Sequence, residues 1–284
     1  MKIGTWEVQH LEAGFFKLDG GAMFGTVPKV VWSRLMPADE LNRIRFASNS
    51  LLLRGTVADQ AHTVVVETGN GDKEDAVFRE RFALEGENVL LGSLAALGVR
   101  PEDVTEVFLT HLHFDHAGGA TRREGERIVP TFPRARHFVQ RQELEDARHP
   151  PLRSKASYLP ENWEPLLEAG LLETVEGEDE VLPGIRVRPL PGHNRGNQGV
   201  IVEGPTRRLI YCGDLIPTHH HLQPTWVMGY DLDVNTCVDQ RIRLLEELCG
   251  TEDLLAFDHD PDLAAGRVRK DAKGRYVLEP VGLS

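Results

Sequence analysis

Short apolar stretches separated by glycine-rich breaks dominate the chain, and only two segments have helical spacing. Strand patterns, dense in Val, Ile, Leu and Tyr and bounded by turn residues, occur at 50–54, 63–67, 104–110, 185–190, 199–203, 208–212 and 254–257. The second of these is closed by Thr68-Gly69-Asn70-Gly71, which is strong turn chemistry. Leu90, Leu94 and Leu97 predict a helix that begins at Glu87 and stops at Gly98 and Pro101. Val238, Ile242, Leu245 and Leu248 predict a second helix over 236–248, ended by Gly250. The first sixty residues read as short β-type stretches broken by glycines. Residues 19–32, with Met23, Phe24 and Trp32 among glycines, read either as a loop that shapes a binding site or as a hairpin that sends Phe24 and Trp32 into the core. The polar middle, 122–180, reads as helices and loops wrapped on a sheet. With no repeat, low-complexity tract or linker, one domain over 1–284 is expected.

Composition narrows the class. Of 284 residues, 40% are hydrophobic and 27% charged, values that suit a folded globular chain and exclude a disordered or fibrous one. The net charge of −12 argues against nucleic-acid binding by phosphate neutralisation. Cys212, Cys237 and Cys249 are odd in number and form no CxxC pair, so a reducing compartment, the cytoplasm, is expected rather than a disulfide framework. Cys212 reads as a small buried hydrophobe rather than a ligand. The N-terminus lacks the pattern of a signal peptide, and no apolar run approaches the roughly 20 residues of a membrane span.

Chemistry concentrates in His111-Leu112-His113-Phe114-Asp115-His116, directly after a strand pattern. If that strand continues, His111 and His113 project from one side and reach one metal ion, whereas Asp115 and His116 point elsewhere and suit a second. Imidazole and carboxylate are ligand types for zinc, iron, manganese or cobalt. His193, Asp214 and His259 each lie just past a strand pattern, where a loop presents a side chain at a sheet's rim. No GxSxG elbow, Walker loop or GxGxxG motif competes.

The run HLHFDH, followed in order by Gly192-His193, Gly213-Asp214 and His259, resembles the HxHxDH signature of the metallo-β-lactamase-fold hydrolases from about Asn49 to Asp260. The resemblance implies an α/β, four-layer αββα sandwich with two divalent metal ions at one edge, zinc first and iron, manganese or cobalt as alternatives. It implies one ion on His111, His113 and His193, the other on Asp115, His116 and His259, and Asp214 bridging both. Two such ions lower the pKa of a shared water and polarise the oxygen under attack, and Asp115 is placed to shuttle a proton. Glu67 stands where the family usually has an Asp orienting a histidine ligand, and the extra methylene puts that contact in question.

Substrate is narrowed by what the chain lacks. There is no large appended domain of the RNA-processing type, only a short tail after His259, and His113 stands where the flavodiiron branch has Glu. The segments at 19–25, 27–29, 162–165 and 214–219 resemble the YtnP-like branch of the quorum-quenching N-acyl-homoserine lactone lactonases. That resemblance implies a small lactone or ester substrate, with residues 1–48 as an arm and loop near the active site. Met23, Phe24 and Trp32 then cover an acyl chain, with His221 beside them. Better-known lactonases carry Tyr three residues after the bridging Asp, where this chain has Pro217; His219, His221 or Tyr230 are candidates for the missing donor. Organophosphate or other ester hydrolysis on the same site is the second enzymatic reading, and a non-catalytic, metal-stabilised binding protein the reading from another class. No membrane or nucleic-acid partner is expected, and a homodimer accords with the resemblance.

Overall fold

Period-two alternation along the central strands determines the layering. In the computed structural model, which describes residues 1–283, Leu51, Leu53, Val64, Val66 and Phe108 pack against Val187, Val200, Val202, Leu209 and Leu254 in one inner core. The residues between them, Leu52, Val65 and Val107, point the opposite way and meet Leu90 and Leu94 of the helix Val89–Ala96. In the partner sheet Ile201, Ile210 and Leu255 point outward onto Leu244, Leu245 and Leu248 of the helix Val234–Leu248. Each sheet therefore buries both faces, one against the other sheet and one against helices. This is the expected αββα sandwich.

Two seven-stranded sheets carry the fold. In spatial order the first comprises Lys2–Ile3, Trp6–Asp19, Arg43–Val57, Gln60–Val66, Glu106–Phe108, Arg136–Gln140 and Leu172–Val175. The second comprises Asp179–Leu182, Ile185–Pro189, Gln198–Val202, Leu209–Tyr211, Leu254–Ala256, Ala265–Lys270 and Tyr276–Pro280. Gln60–Val66 and Glu106–Phe108 run parallel, as do Leu209–Tyr211 and Leu254–Ala256. The C-terminal ends within each parallel pair consequently lie side by side, and the loops leaving them carry Glu67, the histidine cluster, Asp214 and His259. Among the described residues no helix is long and apolar enough to cross a membrane.

Several expectations are corrected. The first sixty residues form two long paired strands, Trp6–Asp19 and Arg43–Val57, not short broken ones. Gly14 does not end the first of them: with φ +119° it sits within the register shift between Glu12 and Phe15, where glycine absorbs a bulge. Residues 19–32 are not a hairpin. Asp19 accepts from the Ala22 amide and starts a helical turn, Gly20–Phe24, and a second turn, Lys29–Trp32, follows. The middle segment supplies two strands of the first sheet, Arg136–Gln140 and Leu172–Val175, short parallel pieces whose flanking charges mask their pattern. Beyond His259 an unforeseen hairpin, Ala265–Lys270 with Tyr276–Pro280, completes the second sheet. The strand expected over 104–110 ends at Phe108, so the histidine cluster lies in the following loop and in the short helix Phe114–Ala117.

That loop is seated by glycines. A Cβ on Gly119 would lie 2.2 Å from the Thr68 carbonyl oxygen, and the Thr68 amide donates to the His116 carbonyl. Gly119→Ala is expected to lower stability by about 1–3 kcal/mol through this backbone clash. Chemical denaturation checks it, and an unchanged midpoint would show that the two loops are not packed this closely.

Candidate metal centre

Two sets of donor atoms converge at the edge of the sheets. In the first, His111 Nε2 lies 3.0 Å and His193 Nε2 3.1 Å from His113 Nδ1. Asp214 Oδ2 is 3.9 Å from His111 Nε2 and 3.2 Å from His193 Nε2. In the second, His116 Nε2 and His259 Nε2 are 3.1 Å apart, with Asp214 Oδ1 at 3.7 and 3.3 Å from them respectively. Asp115 approaches the second set from the cavity side, Oδ1 3.9 Å from His116 and Oδ2 3.6 Å from His259. The sequence-derived ligand residues are thus brought together, with one oxygen of Asp214 facing each set.

The donor chemistry fits divalent ions. Ligand atoms held tetrahedrally at about 2.1 Å from an ion lie about 3.4 Å apart, and the spacings above scatter around that value. Facing ring nitrogens at 3.0–3.1 Å leave room for at most one proton per pair, so at least one nitrogen of each pair carries a lone pair that a cation can take. Asp214 Oδ1 is buried without a hydrogen-bond partner, an arrangement that costs free energy unless a cation answers it.

Behind the donors, four of the five imidazoles are turned by a contact on the far nitrogen. Thr110 Oγ1 lies 3.0 Å from His111 Nδ1, Asp231 Oδ1 3.1 Å from His193 Nδ1, and the Ala47 carbonyl 3.0 Å from His259 Nδ1. Glu67 Oε2 lies 3.3 Å from His116 Nδ1 while its Oε1 accepts from the Thr110 amide. The extra methylene of Glu67 therefore leaves the contact in reach, helped by a left-handed backbone at φ +66°. These partners fix Nε2 as the free nitrogen in four of the five rings. His113 is the exception: it presents Nδ1, and its ring packs edge-on against Tyr158.

Asp231, Glu143 and Asp258 were not foreseen from the sequence. Glu143 accepts from the Leu112 amide between the two leading histidines, and burial pushes it up to about 7. Asp258 Oδ2 is 3.9 Å from both His116 Nδ1 and His259 Nε2, approaching the second set from the interior, and burial pushes its pKa up. Single acids in mixed polar segments carry no spacing signal. Only the adjacency of Asp258 to His259 could have drawn notice.

Charge sorts the histidines. Burial and neighbouring imidazoles hold His111 and His113 well below the usual range, so both are neutral and free to ligate. Burial also opposes charge on His116, His193 and His259, but carboxylates outweigh it and raise all three: Glu67 and Asp115 at His116, Asp214 and Asp231 at His193, Asp258 and Asp214 at His259, which reaches about 9. Asp214 stays well below the ordinary carboxylate range because these imidazoles overcome its burial.

The donors open into a cavity of about 420 Å³. Its wall includes the apolar Leu18, Met23, Phe82, Phe114 and Ala156 and the polar Arg153, Ser154, Ser157 and Tyr230. Of the candidate substrate residues, Met23 lines it and Tyr230 stands at its mouth, with burial and the nearby Asp115 pushing the phenol up to about 12. Phe24, Trp32 and His221 are buried outside that wall. Phe24 is stacked between Trp32 and His221, 5.8 and 4.9 Å away, and His221 is bonded to Thr218 Oγ1 and the Met23 carbonyl. His219 is also outside the wall, its amide and Nδ1 both held by Asp260 Oδ2. Cys212 is fully buried, with its thiol turned to the Gly213 and Ile216 carbonyls.

The Metallo-beta-lactamase superfamily model matches residues 43–246. An N-acyl homoserine lactonase from a Bacillus species is 34% identical over 63% of this chain and 65% of its own, so the chain spans just under two thirds of that relative's length. A crystal structure of a probable metal-dependent hydrolase from Staphylococcus aureus aligns with TM-score 0.88 at 30% identity over 99% of both chains. AidC, a dizinc quorum-quenching lactonase in complex with a product, aligns with TM-score 0.77 at 23% identity over 99% of this chain and 97% of its own, a likeness of fold alone. With the family model covering well over half of its length, the chain belongs to the metallo-beta-lactamase superfamily of hydrolases.

Proposed function

We propose that this protein is a lactonase that holds two divalent ions, zinc first, and opens N-acyl homoserine lactones or related lactones. One observation carries the reading: two imidazole sets share Asp214 in a cavity lined by both apolar and polar side chains. The superfamily fold implies divalent metal ions, and the lactonase relative supports the substrate class. His111, His113 and His193 would hold one ion, and Asp115, His116 and His259 the other, with Asp214 between them. Ions held there would supply Lewis acidity and ionised water near neutral pH.

The chain's own residues account for the remainder. Leu18, Met23, Phe82, Phe114 and Ala156 take up an acyl chain and direct the ring toward the metal floor. Tyr230, neutral at physiological pH, donates from the mouth to the carbonyl oxygen as charge develops on it, in the place that Pro217 cannot fill. Asp115 accepts the proton of the attacking water and returns it to the ring oxygen when the ring C–O bond breaks. Phe24, Trp32 and His221 act one layer out, by fixing the backbone that carries Met23.

Three outcomes test this reading. Asp214→Ala should reduce bound metal from about two ions to one or fewer and abolish hydrolysis; elemental analysis beside a lactone assay decides, and retention of both removes Asp214 from the centre. On a panel of lactones and paraoxon-type esters, turnover should favour lactones, and Tyr230→Phe should cut kcat by about 10²-fold with metal content unchanged; faster phosphotriester turnover would reverse the substrate assignment. Because carboxylates raise His259 to about 9, and its imidazolium must release a proton to ligate, apparent metal affinity should climb from pH 6 to pH 8, about tenfold per unit for one proton displaced. Chelator competition measures this, and a flat profile would contradict it.

A further inference from the structure

A second cleft, of about 240 Å³, shares no wall residue with the metal cavity. It borders Asn70, Gly71 and Gly119, next to the loops that carry Glu67 and His116. On a chain of net charge −12, four cations line it: Lys73, Arg79, Arg122 and Arg123. The carboxylates on its wall are already engaged. Asp72 is 3.5 Å from Arg79 and also accepts from the Asn88 amide, and both oxygens of Glu85 are taken by Arg45. Arg122 lies 3.6 Å from the carboxylate of Glu124 and donates to the Thr131 carbonyl, and Arg123 bonds the Lys73 carbonyl.

Lys73 is the unusual member. It is 5% exposed, and its ammonium donates to the Gly118 carbonyl. Glu74 and Glu161 favour its charge from a distance, yet burial still pushes it down to about 8, which leaves it mostly protonated at neutral pH. A buried ammonium whose one side-chain hydrogen bond goes to a carbonyl gains from an anion placed in direct contact with it. Two further features adjoin the same space. The helix Val89–Ala96 starts on the wall with no side-chain cap, so its first amides and the positive end of its dipole are available to an acceptor. Thr131 Oγ1, on a wall residue, is buried without a hydrogen-bond partner.

We propose that this cleft is a binding site for a small phosphate-type dianion, separate from the metal cavity. Guanidinium forks, an ammonium and helix amides are all donors, and a tetrahedral oxyanion offers several acceptors at once where a single carboxylate offers two oxygens. Through Lys73 and Gly118 the site adjoins the backbone that seats His116.

Calorimetric titration of the purified protein with inorganic phosphate, against chloride at equal ionic strength, tests the proposal. Saturable binding should persist in Asp214→Ala, because it does not depend on the metal centre. It should weaken at least tenfold in the double variant Arg122→Ala/Arg123→Ala, while that variant hydrolyses substrate in the absence of phosphate at the wild-type rate. No saturable binding, binding lost in Asp214→Ala, or binding unchanged in the arginine variant would each overturn it.

Discussion

Asp214 is the residue on which the site depends. Its two oxygens face different imidazole sets, and its charge, held far below the usual carboxylate range, is balanced by histidines from three loops. A buried carboxylate so placed is tolerable only with cations around it, and imidazoles in contact with each other are tolerable only with anions or metal ions between them. Neither half of the arrangement is stable alone. The fold must therefore bring the loops after Phe108, Pro189, Tyr211 and Ala256 to one edge and hold them there.

Parallel pairing accomplishes this. Two neighbouring strands of each sheet end at the same rim, so the polar loops collect where the sheets have no further hydrogen-bonding partner to offer. The two-sided burial of each sheet then keeps these loop anchors rigid. Gly213, in the left-handed region at φ +57°, leaves no room for a side chain: a Cβ there would lie 2.7 Å from Asn197 Oδ1 and from Thr110 Oγ1. Asp214 follows directly, and its direction is set by that turn.

A layer of polar partners converts this rough assembly into a site with defined lone pairs. Thr110, Glu67, Asp231 and the Ala47 carbonyl each take the far nitrogen of one histidine and so decide which nitrogen faces inward. The long N-terminal strands belong to this layer too: Ala47 lies on one of them, and Phe16 and Phe46 pack against His259. The segment expected to be an arm is thereby part of the wall behind the metal ligands. Its aromatic residues support Met23 instead of reaching the cavity themselves.

The histidines and aspartates that converge at the sheet edge, the layered sandwich and the two main helices were legible in the chain because each rests on local information: residue type at short spacing, and periodicity over a few turns. Which of His219, His221 and Tyr230 reaches the cavity was not, since they differ only in what the fold places beside them; Asp260 takes the first, Thr218 and Met23 the second, and the third lines the cavity. Asp231, Glu143, Asp258 and the cationic cleft share that character. Their roles come from contacts between residues far apart in sequence, and their charge states from burial. Composition cannot encode either, because the same carboxylate or ammonium is ordinary in water and becomes exceptional only when tertiary packing removes the water around it.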